Sequence, residues 1–362
     1  MITVKNLTKF YGDFPAVTDV SFNIEDGHVY GLLGVNGAGK TTTMNMICGS
    51  LAPSSGSVRI GSYDLFAEPE KAKALIGYLP EIPPLYPDMT VNEFLYFIAE
   101  ARRVKKSEIG SHIERINEKT GLTDVSEKLI KNLSKGYRQR VGIAQAIVGD
   151  PETVILDEPT VGLDPRQISE IRALIRELGR TRTVLISSHI LSEISELCDR
   201  ILIISEGKLI ASGTQSELCE ALGISDRLVL NVKAPVKRAI EVMKGLGRIG
   251  KVSFDEISDS VCEISIVAGE RDIREDIFFA FASAKLPIIS MEMKHSSLED
   301  IFMIATTPSE DSHKDGEDSD QVSDSIPSIS SFFRSASVKK ESRDSDGEDD
   351  DDEGYKPLFG RK

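Results

Sequence analysis

No stretch of this 362-residue sequence approaches the roughly 18 to 20 consecutive apolar residues that a membrane-spanning helix needs. The amino-terminal run MITVKNLTKFYG carries no apolar signal segment either. Any membrane role is therefore expected to come through a partner. Cysteine is scarce: Cys48, Cys198, Cys219 and Cys262 lie far apart and form neither a C-x-x-C pair nor a zinc-type cluster, so reduced thiols in a cytoplasmic setting are expected. A Lys/Arg-rich stripe is also missing. With a formal net charge of −15, the chain has no electrostatic reason to bind nucleic acid, and no such partner is expected. The length exceeds one average domain and suggests two, followed by a tail. The charge supports the tail, because residues 308–362 hold 16 acidic and 8 basic side chains.

What is present is concentrated first in GVNGAGKTT, Gly34 to Thr42, which fits G-x-x-x-x-G-K-S/T directly after the apolar run ending at Leu33. Glycines in this spacing let the backbone curl into a nest of N–H donors, and the helix that follows adds its positive end beneath a phosphate. Lys40 is then placed to reach the β- and γ-phosphates of a nucleotide, and the Thr41 hydroxyl falls next in line to hold Mg²⁺. Thr42, Thr43, Met44, Met46 and Ile47 continue as a helix.

Along the rest of the chain, Ile2–Leu7 and Val20–Ile24 alternate as half-buried strands, and Tyr11 lies between them. Pro53, Ser54, Ser55 and Gly56 punctuate a small antiparallel meander. A short apolar strand, Ala74–Leu79, ends at Pro80-Glu81 and leads into the stiff loop IPPLYPDMT. Thr90 and Glu93 form a capping-box pattern for one helix, and a second runs from about Ser107 to Thr120, ending at Gly121. Ser134 can cap a helix with Val141, Ala144, Ile147 and Val148 on its apolar face. A strand over Thr153–Leu156, apolar after its first residue, delivers Asp157 and Glu158 at its C-terminal end, where open α/β sheets place their ligands. Then come a helix over Pro165–Leu178, a strand over Thr183–Ser187, His189, and a closing hairpin through Gly207. A lone histidine after a strand is weak by itself. Strands alternating with helices predict an α/β domain with a mainly parallel sheet.

In this order the segments closely resemble the ATP-binding subunit of ABC transporters over about residues 1–222: Walker A at Gly34–Thr42, the signature at Leu133–Tyr137, Walker B at Val154–Glu158, the D-loop Gly162-Leu163-Asp164, and His189 as switch histidine. The resemblance implies a P-loop NTPase cassette, with a parallel sheet, an antiparallel β meander and a helical subdomain. It implies ATP as the bound nucleotide, contacted by Tyr11 against adenine and by Gly34, Asn36, Gly37, Ala38, Gly39, Lys40, Thr41 and Thr42 at the phosphates. Mg²⁺ would be held by Thr41, Asp157 and Glu81, with Glu158 polarising water and His189 meeting the γ-phosphate. A head-to-tail homodimer would bring Ser134, Gly136 and Asp164 of one copy to the nucleotide of the other. Two departures stand out. Glu81 occupies the usual glutamine position, and the signature reads LSKGY, with Lys135 and Tyr137 substituted. The partner implied is a membrane permease on a separate chain, which would hold the subunit on the cytoplasmic face. A soluble relative acting on ribosomes is the alternative, but such proteins usually carry two cassettes or a long coiled-coil insertion, and neither is found here.

Residues 223–307 read β-α-β-β-α-β, a ferredoxin-like α+β module that ends in SLEDIFMIATT. It resembles the extension of single-cassette bacterial exporter-type proteins, including multidrug, polysaccharide and gliding-motility systems, with a regulatory or dimer-supporting role expected. From residue 308 to 362 the acidic, serine-rich composition predicts disorder, with Ile326–Val338 and Tyr355–Phe359 as either solvated chain or short binding segments. Truncation after Thr307 is expected to leave basal ATPase unchanged. In the full chain, limited trypsin treatment should cut at Arg334, Lys339 or Arg343 before it cuts the cassette.

Overall fold

The computed structural model describes residues 1–246, 250–258, 260–267, 272–294 and 296–306; the tail expected over 308–362 lies outside these residues. Two long strands, β1 (Ile2–Tyr11) and β2 (Phe14–Ile24), pair antiparallel around a tight turn. β3 (Val29–Leu33) is buried at every position and runs through the P-loop into α1 (Lys40–Ile47). β4 (Ser55–Ile60) and β5 (Tyr63–Asp64) complete the meander, giving a sheet of order β2-β1-β4-β5. The next strand is shorter than expected: α2 (Pro69–Ala74) precedes β6 (Ile76–Leu79). Pro69 sits at the first helical position, where its missing N–H costs nothing, so Ala74 joins the helix.

Three helices form the helical subdomain: α3 (Val91–Ala101), α4 (Ile109–Thr120) and α5 (Lys135–Ile147). Thr90 and Glu93 make the reciprocal capping box, and Gly121 ends α4 in the left-handed conformation. Then follow β7 (Thr153–Asp157), α6 (Pro165–Gly179), β8 (Thr183–Ser188), α7 (Leu191–Leu197), β9 (Arg200–Ser205), β10 (Lys208–Gly213) and α8 (Gln215–Ala221). The six-stranded sheet has the order β10-β9-β3-β8-β7-β6, parallel throughout except for β10. Elements cover both faces, which is why β3 and β7 are near-continuous apolar runs rather than alternating ones. One shared core joins Leu7, Ile24 and Val58 of the meander to Met44 and Ile47 of α1 and to Leu32, Ile155 and Leu185 of the parallel sheet.

The C-terminal segment forms β11 (Arg227–Val232), α9 (Val236–Lys244), β12 (Val252–Ser258), β13 (Val261–Val267), α10 (Arg274–Ser283) and β14 (Ile288–Lys294). Its antiparallel sheet has the order β12-β13-β11-β14, the interleaving of a split βαβ, over a core that includes Leu228, Leu230, Ile264, Ile266 and Phe281. α11 (Leu298–Thr306) then turns back and buries Leu298, Ile301 and Ala305 while packing on α7, α8 and β10. All four cysteines are unpaired. Among the described residues no helix is long and apolar enough to cross a membrane.

The approach of α5 to β6 depends on Gly77, because a Cβ there would lie 1.7 Å from the Ala146 carbonyl oxygen. Gly77→Ala is therefore expected to destabilise the fold by roughly 1–3 kcal/mol through overpacking, read as a lower midpoint of urea unfolding.

Candidate functional site

The P-loop turns sharply where glycine is required: Gly37 and Gly39 have φ of 84° and 101°, and Gly39 is the N-cap of α1. This leaves the first N–H groups of α1 open toward a cleft of about 480 Å³. Of the expected site residues, Tyr11, Asn36, Gly37, Gly39, Lys40, Thr41, Thr42, Glu81, Glu158 and His189 line that cleft. Gly34 and Ala38 belong to the same loop, Ala38 being buried. Lys40 is buried, and its Nζ donates to the carbonyls of Gly34 at 2.8 Å and Val35 at 3.3 Å while standing 3.5 Å from Glu158 Oε1.

Asp157 and Glu158 emerge from β7 with opposite surroundings. Asp157 is fully buried, and the Ser187 hydroxyl donates to its Oδ1 at 2.5 Å. The register of β7 on β8 sets this contact by placing Asp157 opposite Ser187. Burial pushes the Asp157 carboxyl above the usual carboxylate range; the Ser187 and Thr41 hydroxyls oppose that shift, and the charges of Glu158 and Glu81 reinforce it. Its Oδ2 is buried and has no hydrogen-bond partner. Glu158 sits at φ 47°, a left-handed conformation uncommon outside glycine, with its N–H donating to Ser187 Oγ at 2.9 Å. That backbone turns the side chain so that Oε2 lies 2.9 Å from His189 Nδ1. The carboxylate thus lies between an ammonium and an imidazole at the mouth of the cleft.

The donors near Asp157 fit Mg²⁺. They are all oxygen, namely the Thr41 hydroxyl, the orphaned Asp157 Oδ2 and the exposed Glu81 carboxylate. Among the described residues no group of three or more His, Cys, Asp or Glu side chains forms a protein-only metal cage. A cation here would draw its remaining ligands from phosphate and water, the usual arrangement for Mg²⁺.

Ser134, Gly136 and Asp164 are not among the residues lining the cleft. Ser134 caps α5, its Oγ accepting from Tyr137 N–H at 3.3 Å, and Asp164 caps α6, accepting from Gln167 N–H at 2.9 Å. Residues that the sequence reading missed also border the cleft: Phe14, Ala16 and Val161. Phe14 pairs with Tyr11 across the β1–β2 turn and both are exposed, a juxtaposition that the aromatic spacing Y-x-x-F could have signalled.

The sequence model of the family described as "ABC transporter" matches residues 17–161. The chain is similar to the linearmycin resistance ATP-binding protein LnrL of Bacillus subtilis, 33% identical over 308 residues that cover 84% of this chain and 98% of that protein. It is 42% identical over 212 residues to the bacitracin transport ATP-binding protein BcrA of Bacillus licheniformis, covering 58% of this chain and 68% of that one. A solved ATP-binding subunit of an ABC transporter matches with TM-score 0.57 and 31% identity, covering 62% of this chain and 94% of its own. The dimeric cassette MJ0796 bound to ADP and Pi, in a post-hydrolysis state, matches with TM-score 0.55 and 25% identity over 59% of this chain and 98% of its own.

The buried Asp157 carboxyl makes stability depend on pH. A carboxyl whose folded pKa is raised contributes stability that is present below the unfolded value and lost as pH rises through the folded one. Asp157→Asn keeps an acceptor for Ser187 and removes the charge. The variant should therefore be at least as stable as the parent at about pH 7, with the difference shrinking as pH falls and vanishing below about pH 3, as measured by urea unfolding at both values.

Proposed function

Because the chain belongs to the ABC transporter family of ATP-binding cassette proteins, we propose that it hydrolyses ATP as a head-to-tail homodimer and powers export through a permease on a separate chain. The observation that carries the hydrolytic reading is the Glu158 carboxylate, 3.5 Å from Lys40 Nζ and 2.9 Å from His189 Nδ1 beside the P-loop. In this reading adenine lies against Tyr11 and Phe14, and the phosphates lie on the N–H groups of the Asn36–Thr42 turn. Lys40 exchanges its loop carbonyls for phosphate oxygens. Thr41, Asp157 and Glu81 would hold Mg²⁺, which would supply neutralisation of the phosphate charge. Glu158 orients a water for in-line attack and accepts its proton, while His189 fixes the carboxylate and contacts the γ-phosphate. The side chain is held from two sides, so attack needs little reorganisation.

Ser134, Gly136 and Asp164 are not among the residues lining the cleft of their own chain, which is compatible with a trans arrangement. The dimeric cassette MJ0796 supports that assembly by similarity. Binding energy realised only in the closed pair shifts an open–closed equilibrium, and loss of the γ-phosphate releases it. The loop after Glu81 and α3 present exposed Ile82, Tyr86 and Phe97, with Tyr86 edge-on to Phe94 and Phe97. This surface receives the permease. The resistance and transport names of LnrL and BcrA favour an exporter over a ribosome-acting ATPase. The subunit then sits on the cytoplasmic side, held to the membrane through its permease.

Glu158→Gln should retain nucleotide but lose hydrolysis by a factor on the order of 10² to 10⁴. It should also accumulate an ATP-bound dimer in size-exclusion chromatography. A variant that stays monomeric with ATP at micromolar concentration overturns the paired mechanism, and one with parental turnover overturns the role of Glu158.

A further inference from the structure

A third acid lies behind the site, and nothing in the hydrolytic reading uses it. Glu193, on α7, is 2% exposed. Its Oε2 accepts from Thr160 Oγ1 at 2.7 Å and from Ser188 Oγ at 2.9 Å. Thr160 lies two residues after Glu158, Ser188 one residue before His189, and both are buried. The Ser188 hydroxyl in turn accepts from Ile190 N–H at 3.0 Å, closing a bracket around His189. One carboxylate oxygen thus ties the segment that carries the water-orienting acid to the segment that carries the switch histidine.

We propose that Glu193 is a positioning residue that locks the Glu158 loop to the His189 loop, so that the 2.9 Å contact between those side chains is held as a unit. Three features support this. The left-handed backbone at Glu158 persists only if its surroundings over-determine it, and Thr160 anchors the next turn. Ile194 and Leu197 of α7 are buried at 0% and 5% exposure, so the helix has apolar anchors besides Glu193. The acid is also anchored from outside the cleft: Arg172 of α6 places Nη2 3.7 Å from Oε1, which no hydrogen bond otherwise satisfies. A carboxylate out of water with two hydroxyls aimed at it resists displacement, because moving it would orphan three buried polar groups.

The proposal rests on Glu158 and His189 performing hydrolysis, so both are measured beside it in the full chain. ATPase kcat and KM are determined for the parent, Glu158→Gln, His189→Ala, Glu193→Ala, Glu193→Gln, Thr160→Val, Ser188→Ala and the double variant of His189→Ala with Glu193→Ala, with folding checked by thermal unfolding. Glu193→Ala should lower kcat by about tenfold or more while KM for ATP stays within about twofold. Glu193→Gln, which keeps an acceptor oxygen, should recover part of the loss. Thr160→Val and Ser188→Ala should each lose part of it, and they carry the test if Glu193→Ala does not fold. In the His189→Ala background the same Glu193 change should cost less than about twofold, since residues that act as a unit are not additive. Parental kcat in the folded Glu193, Thr160 and Ser188 variants, a loss confined to KM, or a full additive loss in the double variant overturns the positioning role. If Glu158→Gln and His189→Ala themselves turn over like the parent, the hydrolytic reading fails first, and the positioning role falls with it.

Discussion

Carrying two adjacent carboxylates to the end of a buried strand is the constraint on which the rest of the cassette depends. Asp157 is fully buried and Glu158 nearly so, and burial of a charge is tolerated only with partners close at hand. The fold supplies them from three directions. β8 brings Ser187 to Asp157 through the parallel register, α1 brings the Lys40 ammonium to Glu158, and the segment after β8 brings His189. The order β3-β8-β7 in the sheet is what sets the P-loop, His189 and the acids side by side. A different strand order would leave the same motifs in the sequence and no site in the molecule.

The parts of this arrangement that were legible in the sequence are those whose chemistry is local. The P-loop announces itself because its glycines, lysine and threonine must be contiguous to wrap one phosphate group. The acids announce themselves because three apolar residues, Val154 to Leu156, lead directly into them. The ferredoxin-like order was readable because strand-like and helix-like segments follow one another in that sequence over residues 227–294, and the observed sheet β12-β13-β11-β14 follows that order. The illegible parts are those made through space. Ser187 and Glu193 are unremarkable letters at the end of a strand and in a short helix, and only pairing between β7 and β8 and the turn into α7 bring them to Asp157, Thr160 and Ser188. α2 escaped notice because six residues are too few to show a helical period.

The C-terminal module is attached to this machinery by more than its connecting chain. Gln215, at the start of α8, accepts from Ser195 of α7 at 3.2 Å and donates to the Ser296 carbonyl just before α11 at 3.0 Å. Asp226 holds the same segment by accepting from the Ser296 N–H and hydroxyl. α7, which bears Glu193 and follows His189, packs on β3 and β8 of the parallel sheet and also on α11.

That packing has a consequence for how the protein is made. A nascent chain folds from its amino terminus as it leaves the ribosome. The P-loop, the acids and His189 all emerge well before Leu298, Ile301 and Ala305, the residues that α11 buries. Among the described residues α11 is the last helix to emerge, so its contact with α7 forms only after every residue of the candidate site has been made.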